Sequence, residues 1–259
     1  MKTVLTIAGS DCSGGAGVQA DLKTMAAHHV YGMSAITALT AQNTTGVYGV
    51  VPTPPEFVAR QLDCVFQDIR PDAVKIGMVS GADIIAVIAQ KLTEYHAENV
   101  VVDPVMVSTS GCSLLENEAR RALLTALLPL GAVVTPNVPE AEALCGFHIA
   151  DRAGMERAAR TLGKTLPGAI LVKGGHLPGE AADVLYQNGT CVWFEGARVD
   201  NPNTHGTGCT LSSAIACELA LGKPLVESVR LAKEYLTGAL RAGLDLGAGS
   251  GPLDHMYLL

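Results

Sequence analysis

The run Asn203-Thr204-His205-Gly206-Thr207-Gly208-Cys209-Thr210 stands directly before a helix-forming segment, Leu211 to Leu221. Glycines at 206 and 208 permit a tight turn with converging N–H groups. The positive end of the following helix dipole falls at the same point, so the segment reads as an anion site, with phosphate as the expected anion. Cys209 in the first helical turn is expected to have its pKa lowered toward the thiolate. The same residues also fit a plain glycine turn before a core helix, with Cys209 as a small buried side chain. Asp103 stands beside a proline, and Asn137-Val138-Pro139-Glu140 sets a carboxamide and a carboxylate one helical turn apart. Carboxylates gathered at strand ends suit Mg²⁺, which takes few protein ligands and fills its shell with water and nucleotide phosphate. The alternative for Asp103 is a turn or capping residue, and for Glu140 a first-turn carboxylate answering the helix dipole. Lys173, ahead of Gly174-Gly175, sets a cation beside open backbone where phosphate oxygens can approach; a solvated loop lysine has the same appearance.

Other chemistries are disfavoured. The loop Gly9-Ser10-Asp11-Cys12-Ser13-Gly14-Gly15-Ala16-Gly17 lacks the GxGxxG spacing, and Gln42 stands where a dinucleotide fold needs an acidic ribose partner. No GxxxxGK[ST] occurs. Seven cysteines without a CxxC pair indicate neither a disulfide framework nor a zinc site, and fit a reduced, cytoplasmic chain. The adjacent His28 and His29 point in different directions on a helix and read as surface residues. A net charge of -7 argues against nucleic-acid and anionic-membrane partners. No apolar run reaches the ~18 residues of a membrane span. The apolar start, Val4 to Ala8, is too short for a signal peptide and runs into a glycine loop, so it reads as a buried strand.

These residues need elements to hold them. Apolar runs bounded by Gly or Pro recur at Val4 to Ala8, Ser34 to Thr40, Ala73 to Ile76, Val100 to Asp103, Ala132 to Thr135 and Ala169 to Val172. Apolar throughout, they predict strands buried on both faces. Helical patterns lie between them, near Val18 to His28, Pro55 to Ile69, Gly81 to His96, Glu116 to Leu128, Pro139 to Leu144 and Met155 to Leu166. That alternation predicts an α/β fold with a mostly parallel sheet. Ala182 to Gln187 and Cys191 to Phe194 flank Asn188-Gly189, a hairpin signal that adds an antiparallel edge. Two helices, Thr210 to Leu221 and Pro224 to Leu244, are expected to close a single domain over residues 1–259. Gly9 to Gly17, Gln42-Asn43, Gly77-Met78, Asp103 to Met106, Thr135 to Asn137 and Lys173 to His176 fall in turn at the carboxyl ends of the expected strands, where open α/β sheets bind ligands.

Across essentially its whole length the chain resembles the ribokinase-like superfamily, and more narrowly its hydroxymethylpyrimidine/phosphomethylpyrimidine kinases of thiamine biosynthesis. The resemblance is carried by Thr6 to Asp11, Ser13 to Lys23, Ile36 to Leu39 with Ala41 to Thr44, Lys75 to Met78, Asp103 to Met106, Thr135 to Asn137 with Pro139 to Ala141, Lys173 to His176, and Thr204 to Ser212. It implies a three-layer α/β/α sandwich, ATP and Mg²⁺ as cofactors, a small pyrimidine substrate, and a homodimer. It puts Gly206, Thr207, Gly208 and Cys209 at the anion hole, with Cys209 where superfamily sugar kinases have a base. Asp21, Gln42, Met78 and Val105 match pyrimidine-pocket positions, Asn137, Lys173, Thr204 and Lys233 nucleotide positions, and Asp103 and Glu140 the metal motif. The Gln42 amide, donor and acceptor at once, complements an aminopyrimidine edge. Val107 to Ser113, rich in Ser, Thr and Gly, fits either a mobile flap that excludes water on closure or an idle surface loop. Pyridoxal kinase is the nearest rival; such relatives carry an apolar residue in place of Gln42 and a flap cysteine near Ser108, whereas the nearest here is Cys112. A non-catalytic pyrimidine sensor is a third reading, disfavoured because the glycine turn and Lys173 are both present.

Overall fold

The computed structural model describes residues 1–106, 117–175, 181–196 and 198–258. Strand β1 (Thr3–Asp11) leads into helix α1 (Gly17–Ala27), then β2 (Tyr31–Asn43), β3 (Gly46–Pro52) and α2 (Pro55–Asp68). Strand β4 (Ala73–Ile76), α3 (Ala82–Glu94) and β5 (Val100–Val102) follow. Helix α4 (Asn117–Ala122) runs on through a wide turn at Leu123–Leu127 and a tight one at Leu128–Leu130. Next come β6 (Val133–Val134), α5 (Val138–Cys145), α6 (Arg152–Leu162), β7 (Ala169–Val172) and the hairpin β8 (Asp183–Gln187) and β9 (Thr190–Phe194). Helices α7 (Thr207–Ala220) and α8 (Leu225–Arg241) complete the helical set.

The strands form one sheet in the order β3-β2-β1-β4-β5-β6-β7-β8-β9. From β2 to β7 every pairing is parallel, and both edges are antiparallel. Alternate residues of each buried strand serve two cores. Leu5, Ile7, Val74, Ile76, Val100 and Val102 join the cluster under α2 to α6, whereas Val4, Ala73, Val101 and Leu171 join the cluster under α1, α7 and α8. This is the expected three-layer α/β/α arrangement, and the apolar runs that announced it are apolar because helices cover both faces.

The hairpin at Asn188-Gly189 turns with φ of 50° and 85°, the positive values that two-residue hairpins demand. The opposite edge departs from the sequence reading. Strand β3 was not expected, because Gly46, Gly49 and Pro52 interrupt it and it is largely exposed. The chain also does not stop at α8: residues beyond it fold back on the loop before α7, where the N–H of His205 donates to the carbonyl of Gly251 at 3.2 Å, and on α8 itself, where Tyr235 Oη donates to the carbonyl of His255 at 2.8 Å.

One charged pair lies inside this framework. Lys75 on β4 and Asp21 on α1 have no solvent exposure. Lys75 Nζ donates to both carboxylate oxygens at 2.8 Å. Thr6 Oγ1 on β1 adds a bond at 2.5 Å and Ser213 Oγ on α7 another at 2.7 Å. Gly77 has no side chain because a Cβ there would stand 2.6 Å from Lys75 Nζ. Breaking such a pair from one side leaves a bare buried charge, so Lys75→Met is expected to lower unfolding free energy by roughly 3–5 kcal/mol. The double variant Lys75→Met/Asp21→Asn should recover much of that loss in urea titrations, because no uncompensated charge remains.

Candidate active site

The strand order reverses direction between β1 and β4: β2 and β3 lie to one side, and the rest of the sheet to the other. Ligand crevices of open sheets form at such a switch, outside the carboxyl ends. Short backbone bonds extend the ladder past the strands and fix the loops there. The N–H of Gly77 donates to the Ile7 carbonyl, that of Asp103 to Ile76, that of Thr135 to Val102, and that of Lys173 to Pro136, all between 2.8 and 3.0 Å.

Three of these loop ends converge on the start of α7. Lys173 Nζ donates to Asp103 Oδ1 at 2.7 Å, and Thr135 Oγ1 donates to the same oxygen at 3.0 Å. A Cβ on Gly208 would lie 3.2 Å from Asp103 Oδ2 and 3.5 Å from Lys173 Nζ, so the glycine turn, the carboxylate and the lysine are in contact. Gly206 adopts φ 85° as the N-cap of α7, and among the described residues no side chain caps this helix. First-turn N–H groups without a side-chain partner, beside a lysine, form an anion cradle.

Asn137 and Glu140 form a capping box at the start of α5: Glu140 N–H donates to Asn137 Oδ1, and Asn137 N–H to Glu140 Oε2, both at 2.8 Å. The residues read as a metal and phosphate motif therefore also hold their own helix. Burial pushes the Glu140 carboxyl up to about 7; the Lys173 charge opposes that rise and the Asp103 charge adds to it. Lys173 is itself held above the ordinary lysine range, because Asp103 and Glu140 outweigh its desolvation.

Cys209 departs from the expectation for a helix start. Its thiol is pushed up, not down: burial is the largest cause, the Lys75 charge opposes it, and the charges of Asp21 and Asp103 reinforce it. Asp21, expected at the pyrimidine pocket, faces the interior with its carboxylate occupied by Lys75, Thr6 and Ser213. It acts on the site from behind, through α7.

The other wall of the crevice is built on Asp11, which is 2% exposed. Its Oδ1 accepts from Ser13 N–H and Oγ at 2.8 and 2.7 Å. Its Oδ2 accepts from Gly15 and Ala16 N–H at 3.1 and 2.9 Å and lies 2.8 Å from His205 Nε2. Burial alone would raise this carboxyl, but His205, Ser13 and Ala16 outweigh it and hold it at about 2. Gln42, at the end of β2, brings its side-chain amide to 3.4 Å from the same imidazole nitrogen. Met78 closes against the first loop: a Cβ on Gly9 would meet its Cε at 2.3 Å. Val105, like Gln42 and Met78, is partly exposed at this edge.

Thr204 is exposed, its N–H donating to Ser250 Oγ at 3.2 Å. Lys233 on α8 donates to Asp183 Oδ2 at 2.5 Å and to the Ala181 carbonyl at 2.6 Å. Asp183 Oδ1 in turn accepts the Gly174 N–H at 2.9 Å, so Lys233 braces the loop after Lys173. His176, Ser108, Cys112 and the segment Val107 to Ser113 lie outside the described residues. Asp11, Lys75 and His205 lie within segments that carry the family resemblance but have no role assigned from the sequence, because their partners are distant in the chain. Two surface clefts, of about 300 and 630 Å³, are lined by residues such as Asp72 and Glu98 or Gly131 and Gly168. They flank the amino-terminal ends of the strands, opposite the convergent loops.

A parallel sheet with an uncapped glycine-turn helix, a lysine and two carboxylates at its switch point is the arrangement expected of a ribokinase-like phosphotransferase. The comparisons make this specific. The phosphomethylpyrimidine kinase family matches residues 11–254, and the chain belongs to that family. It is 51% identical over 255 residues to the bifunctional thiamine biosynthesis protein ThiED of Geobacter sulfurreducens, covering 98% of this chain but about half, 52%, of that longer protein. It is 52% identical over 257 residues to the hydroxymethylpyrimidine/phosphomethylpyrimidine kinase of Rhizobium meliloti, covering 98% of this chain and 96% of that one. Among solved structures, Bacillus subtilis pyridoxal kinase in complex with ADP superposes with a TM-score of 0.92 at 38% identity, covering 100% and 98% of the two chains. The chain is a kinase, and no helix among the described residues is long and apolar enough to cross a membrane.

Gly206→Ala would force an alanine into a left-handed conformation and set its Cβ 1.9 Å from the Gly15 carbonyl oxygen. Steady-state assays should show kcat/KM reduced by ~10²-fold or more, the scale of losing one preorganised anion donor. Asp11→Asn should lower Tm at pH 7. A carboxyl whose folded pKa is depressed stabilises the fold above its ordinary value of about 4 and loses that contribution as pH falls. The difference in Tm between wild type and Asp11→Asn should therefore narrow as pH drops toward about 2.

Proposed function

We propose that this kinase transfers the γ-phosphate of ATP to the alcohol of 4-amino-5-hydroxymethyl-2-methylpyrimidine, and a second phosphate to the resulting monophosphate, in cytoplasmic thiamine biosynthesis. The observation that carries the reading is the contact of the uncapped α7 turn with Lys173 and Asp103 in the same crevice as an amide, Gln42, able to read an aminopyrimidine. Phosphoryl transfer asks mainly for positioning and charge stabilisation. In this reading the N–H groups from Gly206 to Cys209 and the Lys173 ammonium meet the charge that grows on the transferred group. Asn137, Thr204 and Lys233 serve the nucleotide side, Lys233 through its bond to Asp183. Met78 and Val105 supply apolar walls to the pyrimidine, and Asp21 supports from behind.

Mg²⁺ fits the donor set only in a particular form. Among the described residues no group of three His, Cys, Asp or Glu side chains gathers around one point. Two carboxylates, Asp103 and Glu140, do sit close enough for the charge of one to raise the other. That suits an ion completed by water and phosphate oxygens, and the ion would neutralise phosphate charge. Cys209, with its thiol pushed up by burial, is a poor general base, and loose phosphoryl transfer needs little base assistance.

Likeness to a pyridoxal kinase supports a second reading, phosphorylation of pyridoxal as a side activity. ADP release measured with the pyrimidine and with pyridoxal side by side ranks the two, and mass spectrometry with excess ATP should find one and then two phosphates on the pyrimidine. Tight ligand binding without ADP from either would point to a sensor and defeat the proposal. Cys209→Ala is expected to retain more kcat than Lys173→Met, for which a loss of ~10²-fold is expected. We also read the enzyme as a homodimer. The β2–β3 edge leaves Leu39 at 55%, Tyr48 at 70% and Val51 at 66% exposed, an apolar face that a second copy can cover. Gel filtration should show a dimer that Tyr48→Asp/Val51→Asp converts to monomer.

A further inference from the structure

Three groups meet at one nitrogen on the Asp11 wall. His205 Nε2 lies 2.8 Å from Asp11 Oδ2 and 3.4 Å from Gln42 Nε2, the nitrogen end of that carboxamide. The ring has little freedom. A Cβ on Gly15 would stand 2.5 Å from His205 Cδ2 and 3.4 Å from its Nε2, so the imidazole is packed closely against that glycine. The backbone of His205 pairs with Pro252 and donates to Gly251.

Hydrogen-bond arithmetic then decides which way the amide faces. Asp11 is a carboxylate that collects N–H and O–H donors only. The imidazole nitrogen that faces it must carry a proton, and a protonated ring nitrogen has no lone pair for another donor. With Gln42 Nε2 toward His205, as it stands in this structure, two donors oppose each other, so the hydrogen-bond chemistry calls for the carboxamide turned the other way about. A carboxamide oxygen turned that way shares the N–H with Asp11. The oxygen keeps its second lone pair, and the NH₂ points away from the imidazole.

We propose that His205 is a positioning residue that fixes the flip state of the Gln42 carboxamide, and through it the preference for an aminopyrimidine over a hydroxypyridine; this rests on the substrate reading above. An aminopyrimidine edge offers an amine donor next to a ring-nitrogen acceptor. The fixed amide answers with its free oxygen lone pair and its NH₂, in matching order. A hydroxypyridine edge puts a phenolic oxygen, readily ionised, where the amine stands, and meets the amide oxygen with like partial charge. Discrimination of this kind comes from polar groups that the wrong ligand leaves unpaired.

The test compares kcat/KM for ADP formation with hydroxymethylpyrimidine and with pyridoxal in wild type, His205→Ala and His205→Gln. His205→Ala frees the amide to flip, and the pyrimidine-to-pyridoxal ratio should fall by roughly three- to tenfold, the scale of one net hydrogen bond. The fall should appear more in KM for the pyrimidine than in kcat. His205→Gln, whose NH₂ can donate to Asp11 and Gln42 together, should restore most of the ratio. Equal losses for both substrates in His205→Ala, or a glutamine variant no better than alanine, would overturn the inference while leaving the kinase assignment standing. A wild type that makes no ADP with the pyrimidine overturns the substrate reading and this inference with it. ¹⁵N NMR of His205 in the wild-type protein decides the matter without any variant: a proton on Nε2 is expected, and a bare Nε2 with the proton on Nδ1 would refute the proposal.

Discussion

A lysine ammonium with no path to solvent ties together the elements that frame the candidate site. Lys75 lies on the sheet face that α1 and α7 cover, where its neighbours in the strand are apolar or lack a side chain. An ammonium there is tolerated only when its desolvation is answered completely. Asp21 answers with both oxygens, and those oxygens are in turn satisfied by Thr6 and Ser213. Four elements, β1, β4, α1 and α7, thus meet at one carboxylate. Ser213 lies one helical turn beyond Cys209, so the same bonds that neutralise the pair fix where α7 begins.

That helix start divides the crevice into two electrostatic halves. On one side Lys173 sits between Asp103 and Glu140, an arrangement short of one positive charge, which is why burial and Asp103 can lift Glu140 to about 7. On the other side Asp11 is oversupplied with donors and stays ionised down to about 2. The first half suits a cation and phosphate. The second is a rigid, fully bonded wall that holds His205 and Gln42. Under the proposed function both qualities are used: the charge deficit on the side assigned to the nucleotide, and the fixed hydrogen-bond geometry on the side assigned to the acceptor.

The layers of this fold were legible because double burial leaves a direct mark on composition. Runs such as Val100-Val101-Val102 cannot be anything other than interior, and Asn188-Gly189 announced its hairpin through the positive φ that only a few residues accept. The gathering of site residues at strand ends followed from topology. What stayed hidden was tertiary. Strand β3 alternates weakly and faces outward. Lys75 looks like any strand lysine until helices cover both sides of it. Asp11 and His205 are 194 residues apart. The local rule for a cysteine at a helix start gave the wrong sign for Cys209 because burial, which the rule does not see, outweighs the Lys75 charge and the Gly17 N–H that favour the thiolate. Resemblance supplied the family; it did not supply these couplings.

The close approach of Gly206 to the first glycine loop carries a consequence for how this site can change. The obstacle to a side chain at 206 is the main-chain oxygen of residue 15, and main chain is common to all twenty amino acids. Trimming a neighbour therefore cannot make room, as it can where two side chains collide. A lesion at 206 therefore has no neighbouring side chain whose trimming can relieve it, and suppressor screens starting from one should return only same-site reversions.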